Sequence, residues 1–143
     1  GTAWRPLVHI RDIINAFAAG LDAPREAIHD QAFNVGRTGE NYQIRQVADL
    51  VAEIVPNCEV EYATNASGDY RDYRVDFTKV ETQLPGYAPT WTVPDGIAEM
   101  YAAYTAAGLT DADWSGDRYY RLRTVRSHLD AHRLDTDLRW IRT

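Results

Sequence analysis

The sequence predicts an α/β fold, or α+β if the segment stands alone. Two observations predict it. Short apolar stretches suited to strands alternate with stretches whose apolar residues recur at three- and four-residue steps. The composition is that of one globular domain: 143 residues, 45% hydrophobic and 25% charged, enough chain to bury a core.

The elements follow in order. Arg5–Ile10 suits a strand, with Pro6 near its start or on an edge. Asp12 is expected to open a helix whose apolar stripe is Ile13, Ile14, Phe17, Ala18 and Leu21, bounded by Gly20 and Pro24. After a polar loop, Gln31–Gly36 reads as a second strand and Gly36–Gly39 as a turn. Ile44, Val47, Ala48, Val51, Ile54 and Val55 then mark an amphipathic helix that ends at Pro56. Glu59–Tyr62 alternates as a half-buried strand does, and Tyr73–Val75 suits a brief one. Asp76 is placed to cap a helix over Phe77–Leu84, stopped by Pro85-Gly86. Thr92 and Asp95 predict a capping box, with Pro94 in the first turn. The helix behind it is expected to bury Ile97, Met100, Tyr101 and Tyr104 and to stop at Gly108. Residues 109–116 read as a linker, and Asp117–Arg133 as a last helix with Leu122, Val125 and Leu129 on one face.

Several function classes are disfavoured. No apolar run approaches the ~18 residues of a membrane span. Gly1–Ile10 mixes Trp, Arg and His, unlike a secretory leader, so a cytoplasmic protein is expected. Cys58 is the single cysteine, which excludes an internal disulfide framework and a multi-cysteine zinc site. A net charge of -6 argues against a nucleic-acid partner. The charge is uneven: residues 117–143 carry seven Arg against four Asp. That basic tail reads as a solvated helix face, or as a surface for an acidic partner.

Most candidate motifs have plain structural readings. Gly36-Arg37-Thr38-Gly39 sits between a predicted strand and helix, where a dinucleotide fingerprint would sit, but a third glycine is missing and a tight turn suffices. His128 and His132 have the i, i+4 spacing of zinc ligands, yet no Glu follows His128. Ser67, Ser115 and Ser127 have no nucleophile elbow, and Cys58 lies among acidic and apolar neighbours that disfavour a thiolate. The densest cluster is Gly68–Asp76, with Arg71 and Arg74, Tyr70 and Tyr73, and three aspartates. Arginine forks pair phosphate oxygens bidentately, and Arg5 on the first strand can join them. Local pairing with Asp69, Asp72 and Asp76 explains the same residues equally well.

Four stretches, in order, resemble the C-terminal half of the extended short-chain dehydrogenase/reductase family, the NAD-dependent epimerases and dehydratases of nucleotide sugars. Gly1–Asp12 resembles the family's arginine-bearing strand that runs through a His into an Asp-headed helix. Ala32-Phe33-Asn34-Val35-Gly36 resembles its Asn-Val-Gly strand. Arg71, Tyr73, Asp76, Thr78 and Lys79 match a third motif, and Leu84–Pro89 with Thr92 and Gly96-Ile97 a fourth. The resemblance runs over residues 1–108, a substrate-binding part, and leaves 109–143 as a linker and a basic helical tail with no catalytic role.

The resemblance implies the C-terminal portion of a Rossmann-type epimerase. By it, Arg5 contacts a nucleotide diphosphate, Asn34 lies in the nucleotide-sugar site, and the loop Gly68–Arg74 adds contacts through Asp69, Arg71 and Arg74. Ala66 stands where the epimerase has an arginine, so the phosphate grip would rest on Arg5, Arg71 and Arg74. The family's catalysis uses a Y-x-x-x-K pair, in which the lysine helps the tyrosine act as a base, and NAD sits on a glycine-rich turn. Neither is present: the single lysine is Lys79, and Val75 stands four residues before it. The expectation is therefore a fragment with no catalytic residue, inactive alone and binding no cofactor, whose full-length parent uses NAD(P). Its expected partners are a nucleotide sugar, the absent N-terminal Rossmann half, and a second copy of itself, because an unpaired Gln31–Gly36 strand would present an open edge. The alternative is a stand-alone, non-catalytic interaction module that self-associates.

Overall fold

The computed structural model describes residues 1–62 and 71–141. The chain forms two compact units, residues 1–101 and 102–143. In chain order the elements are β1 (Trp4–Pro6), α1 (Ile10–Asp22), α2 (Arg25–Ile28), β2 (Asn41–Gln43), α3 (Ile44–Ile54), α4 (Thr78–Gln83), α5 (Val93–Ala106), α6 (Asp111–Ser115) and α7 (Arg121–Asp130). This is a helix-rich chain with a small two-stranded sheet, consistent with an α/β or α+β class.

In the first unit, β1 and β2 pair antiparallel, with Trp4 opposite Gln43, Arg5 opposite Tyr42 and Pro6 opposite Asn41. Backbone bonds from Leu7 N to Glu40 O (2.9 Å) and from Ile44 N to Ala3 O (3.1 Å) extend the register at both ends. The expected strand Arg5–Ile10 is thus cut short. The backbone turns into α1 at Ile10, and the His9 ring accepts the Arg11 N–H through Nδ1 at 3.2 Å. His9 is therefore the N-cap that Asp12 was expected to be.

Gln31–Gly36 forms no strand among the described residues. Its Phe33 and Val35 do pack against the core, but side chains take its carbonyls: Lys79 Nζ donates to Ala32 O (2.9 Å) and the Tyr87 hydroxyl to Gly36 O (3.0 Å). The apolar pattern reported which side is buried, and a strand also needs a partner backbone. Glu59–Tyr62 and Tyr73–Val75 form no strand either. The strand that does form, β2, is polar and carries no such pattern.

Helix α3 matches its expected span, and Gln46 Oε1 accepts the Gln43 N–H at 2.7 Å at its start. Asp76 Oδ1 accepts the Thr78 N–H (2.8 Å) ahead of α4, as expected, although α4 is shorter than Phe77–Leu84. The Thr92–Asp95 capping box forms, with Thr92 N–H donating to Asp95 Oδ2 (3.1 Å) and Asp95 N–H to Thr92 Oγ1 (3.3 Å). The expected burial behind it does not hold: Met100, Tyr101 and Tyr104 are exposed.

The core is small. Ala16 and Ala19 of α1, Phe77, Val80 and Leu84 around α4, and Tyr87 form its buried centre. The buried face of α1 is Asp12, Ala16 and Ala19 rather than the larger Ile14, Phe17 and Leu21. Small residues sit here because neighbouring backbone comes close: a Cβ on Gly86, which has φ +81, would lie 3.8 Å from Ala19 Cβ. At Gly36 the approach is tighter, and a Cβ would fall 2.6 Å from the Phe77 ring.

In the second unit, α6 occupies the expected linker. Thr110 and Asp113 cap it reciprocally, with Asp113 N–H donating to Thr110 Oγ1 at 3.2 Å and Thr110 N–H to Asp113 Oδ2 at 3.0 Å. Five residues are too short to show a period, so the cap is the legible signal. Helix α7 lies within the expected Asp117–Arg133, but Leu122 is exposed. A bridge between Leu134 and Trp140 follows, with the His128 ring edge-on to Trp140 at 5.1 Å.

Two outcomes are expected. Gly36→Ala should destabilise the chain by about 1–3 kcal/mol through overpacking on Phe77, whereas Gly39→Ala, with open space at its Cβ, should change a urea midpoint little. The Asp95 carboxyl is held below its ordinary pKa, first by the Thr92 hydroxyl and then by its N–H. A depressed folded pKa stabilises above the unfolded value, so this contribution should fade as pH falls below about 3.9. Asp95→Asn should flatten that part of the pH profile of thermal unfolding.

Candidate functional site

The candidate site is built along β1. Successive side chains of a strand alternate in direction, so Trp4 and Arg5 face opposite sides. Asn41, on the paired strand, holds a third length of backbone beside them. Its Nδ2 donates to Val75 O and its Oδ1 accepts the Val75 N–H, both at 3.0 Å. Asp72 Oδ1 accepts the Trp4 N–H at 2.8 Å, and the Tyr73 N–H reaches Trp4 O at 3.4 Å. Residues 72–75 thus run along β1 like a strand, held largely by side chains.

Two arginine–aromatic stacks result. The Arg5 guanidinium lies over the Tyr73 ring, 5.5 Å from its centroid. Arg5 donates to Trp4 O at 2.7 Å and also to Arg71 O, which fixes the plane of the fork. The Arg74 guanidinium lies 3.4 Å from the centroid of the Trp4 ring. Alternation puts this stack on the other side of the strand. Trp4 and Arg74 wall a cleft of about 470 Å³, completed by Thr38, Asn41, Val75 and Asp76. Asn34 lines an adjoining hollow of about 210 Å³ with Pro6, Val75 and Phe77. So Arg5 reaches the backbone carbonyl of Arg71, Arg74 stacks on the residue before Arg5, and Asn34 lies one hollow away. Asp69 lies outside the described residues.

The acidic neighbours bind backbone. Asp72 takes the Trp4 amide, and Asp76 takes the Thr78 amide. The Asp76 carboxyl is lowered below its ordinary pKa, first by the Thr78 side chain and then by its N–H. It stays ionised at neutral pH and adds negative charge to the rim of the larger cleft.

Thr38 and Gly36 of the Gly36–Gly39 turn are engaged within the fold. Both Thr38 donors are committed to Glu81: its N–H to Oε1 at 3.0 Å and its hydroxyl to Oε2 at 3.1 Å. Gly36 is closed off by Phe77 and by Tyr87, whose phenol burial and the nearby Asp12 push up in pKa. Lys79 is structural too, its ammonium bonded to Ala32 O and lying 4.9 Å from the Phe33 ring centroid. Among the described residues no cluster of His, Cys, Asp or Glu is placed to hold a metal, and no helix is long and apolar enough to cross a membrane.

A second constellation escaped the sequence. His9 stacks on Trp91 with centroids 4.0 Å apart, and its Nε2 lies 2.7 Å from Glu99 Oε2. Arg11 pairs with the other Glu99 oxygen at 2.6 Å. Because Nδ1 accepts from Arg11 N–H, the neutral ring carries its proton on Nε2 and donates it to Glu99. Buried Asp12 clamps the same region, accepting Thr90 N–H and Trp91 N–H at 3.1 Å each. Buried Glu40 accepts Val93 N–H at 2.8 Å. These groups fasten the start of α5 to α1 beside a largely apolar pocket of about 230 Å³ lined by Leu7, Val8, Val47, Trp91 and Ile97. No local spacing links residues 9 and 99, so no sequence pattern reveals the clasp.

Comparison with known proteins follows the same outline. The chain is 31% identical over 108 residues to a UDP-glucose 4-epimerase of Corynebacterium glutamicum, a match covering 75% of this chain and 32% of the relative. It is 30% identical over 108 residues to a dTDP-glucose 4,6-dehydratase of Actinoplanes sp., covering 74% of this chain and 32% of that one. These matches support an epimerase/dehydratase family of nucleotide sugars, and the matched part spans a third of the curated relatives' length. No family model and no solved structure matches the chain.

Asp12→Asn leaves one of the Thr90 and Trp91 amides facing a donor. It should cost about 1.5–3 kcal/mol, the range of a hydrogen bond to a charged group. Glu99→Gln breaks a more exposed pair and should cost less than about 1 kcal/mol. Urea unfolding of both variants checks the order.

Proposed function

We propose that this chain is the substrate-holding, C-terminal part of an NAD-dependent nucleotide-sugar epimerase or dehydratase. In this reading Arg5 and Arg71 receive the diphosphate, and Arg74 stacked on Trp4 walls the adjoining cleft for the rest of the ligand. The observation that carries it is the orientation of Arg5. Its guanidinium is fixed between Tyr73 and the Arg71 carbonyl, and a pre-oriented fork loses little freedom when it takes two phosphate oxygens. Asn34, in the neighbouring hollow, is assigned to the sugar nucleotide as well. The similarity to an epimerase and to a dehydratase, each over 108 residues, supports the substrate class.

NAD binding and the acid–base pair belong, in this proposal, to the part of the relatives that this chain does not span. The sequence holds no Y-x-x-x-K pair, and the Gly36–Gly39 turn is closed by Glu81. The chain by itself then binds nucleotide sugar without converting it.

Calorimetry with UDP, dTDP and their glucose conjugates tests the reading. The folded chain should bind the diphosphates and not uridine or thymidine. Arg71→Ala should weaken binding about tenfold or more, the equivalent of one charge-assisted contact. Absence of binding at millimolar ligand, or an unchanged affinity in Arg71→Ala, overturns the assignment. Turnover of UDP-glucose with added NAD by the pure chain overturns the claim of inactivity.

A further inference from the structure

His9 makes two contacts that ask opposite things of one ring. Its Nδ1 accepts the Arg11 N–H at 3.2 Å, which caps α1. Its Nε2 lies 2.7 Å from Glu99 Oε2, which ties the ring to α5. Trp91, stacked at 4.0 Å, covers one face of the ring, and a Cβ on Gly96 would lie 3.5 Å from His9 Cδ2. The ring is thus held in its plane by close neighbours. Only the neutral imidazole satisfies both contacts. An acceptor nitrogen needs a free lone pair, and the imidazolium carries hydrogen on both nitrogens. No flip of the charged ring restores the cap.

We propose that His9 is a proton-operated switch at the junction of β1 and α1. Protonation turns Nδ1 from an acceptor into a donor facing the Arg11 N–H, and the first turn of α1 loses its side-chain cap. It also puts positive charge at a helix amino terminus, where the macrodipole opposes it. The Glu99 contact responds the other way, because a charge-assisted hydrogen bond is the stronger kind. With the His9 side chain 14% exposed and that of Glu99 34%, solvent screens this attraction incompletely. Glu99 gives Oε2 to His9 and Oε1 to Arg11, so the two cations do not compete for one oxygen. The other charged groups around the ring are already committed. Buried Asp12 of α1 holds the Thr90 and Trp91 amides. Buried Glu40, which lines the same pocket, holds the Val93 amide. Asp95, one turn before Glu99 on α5, is bonded to Thr92. From α3 the pocket receives only uncharged Val47. Protonation therefore loosens the opening of α1 while it tightens the grip on α5. The two effects offset, and the response is local rather than global. The inference stands on His9 and its neighbours and is independent of the nucleotide-sugar reading.

NMR of the ¹⁵N-labelled chain from about pH 8 to about pH 5 covers the interval in which imidazoles change charge. At the upper end the His9 ring should carry its proton on Nε2 alone. As the ring gains a second proton, the exchange protection of the Arg11 amide, corrected for intrinsic pH dependence, should fall about fivefold, the weight of one helix cap. The Gln43 amide, bonded to the Gln46 side chain, should keep its protection and serves as the reference. His9→Asn retains a capping side chain with nothing to titrate, and its Arg11 amide should be insensitive to pH over this range. Glu99→Gln removes the attracting charge and should move the transition to lower pH. The ring and Arg11 readouts need only the wild-type chain. A neutral ring protonated on Nδ1, or a ring that stays neutral down to pH 5, overturns the proposal. So does unchanged Arg11 protection across the transition, or a loss that persists in His9→Asn.

Discussion

One side-chain amide organises the candidate site. Asn41 presents both its oxygen and its nitrogen to the backbone of Val75, at 3.0 Å each. It does for one residue what a neighbouring strand does for a ladder. With Val75 fixed there, Tyr73 comes under Arg5, Arg74 comes over Trp4, and Phe77 closes on Gly36. The remaining backbone contact between residues 72–75 and β1 is long, 3.4 Å from Tyr73 N–H to Trp4 O. The arrangement of the arginines therefore rests on Asn41 and on Asp72, which takes the Trp4 amide.

The same device recurs on the other side of the first unit. Residues 90–92 have no regular structure, and their amides still need partners. Asp12 supplies two and Glu40 supplies one at Val93. Burying two carboxylates costs desolvation, which hydrogen bonding offsets. The gain is that α5 starts at a fixed place, with Trp91 stacked on His9 and Glu99 gripping His9 and Arg11. With few large apolar residues fully buried, side-chain-to-backbone bonds fix much of this unit, and they are directional in a way that apolar contact is not.

Some of this was legible in the sequence. The helices α3, α4 and α5 follow from their periodicity and caps, because cap and period are local properties. Arg5, Arg71 and Arg74 were singled out from residue type and spacing; the structure shows Arg5 donating to the Arg71 backbone carbonyl and Arg74 over Trp4. What failed was the pairing of strands. Gln31–Gly36 has the apolar pattern but no backbone partner, while Asn41–Gln43 has a partner but no pattern. Periodicity reports burial, and burial by side chains leaves open where the backbone hydrogen bonds go. The orientation of α1 failed for a related reason. Apolar residues lie nearly all round it, so size alone suggested that Ile14, Phe17 and Leu21 face inward.

By itself, the sequence determined the helices with strong caps, the likeness to nucleotide-sugar epimerases and dehydratases, and the absence of a Y-x-x-x-K pair. These depend on neighbouring residues or on ordered motifs, and one chain carries them without a fold. Only the tertiary structure decided which face of α1 is buried, which strand pairs with β1, how the arginines stack, and that His9, Glu99 and Trp91 form a clasp. Each of these depends on residues tens of positions apart. Close approach at Ala16, Ala19 and Gly86 selects the small face of α1, and the long-range hydrogen bonds of Asp12, Glu40 and Asn41 set the rest.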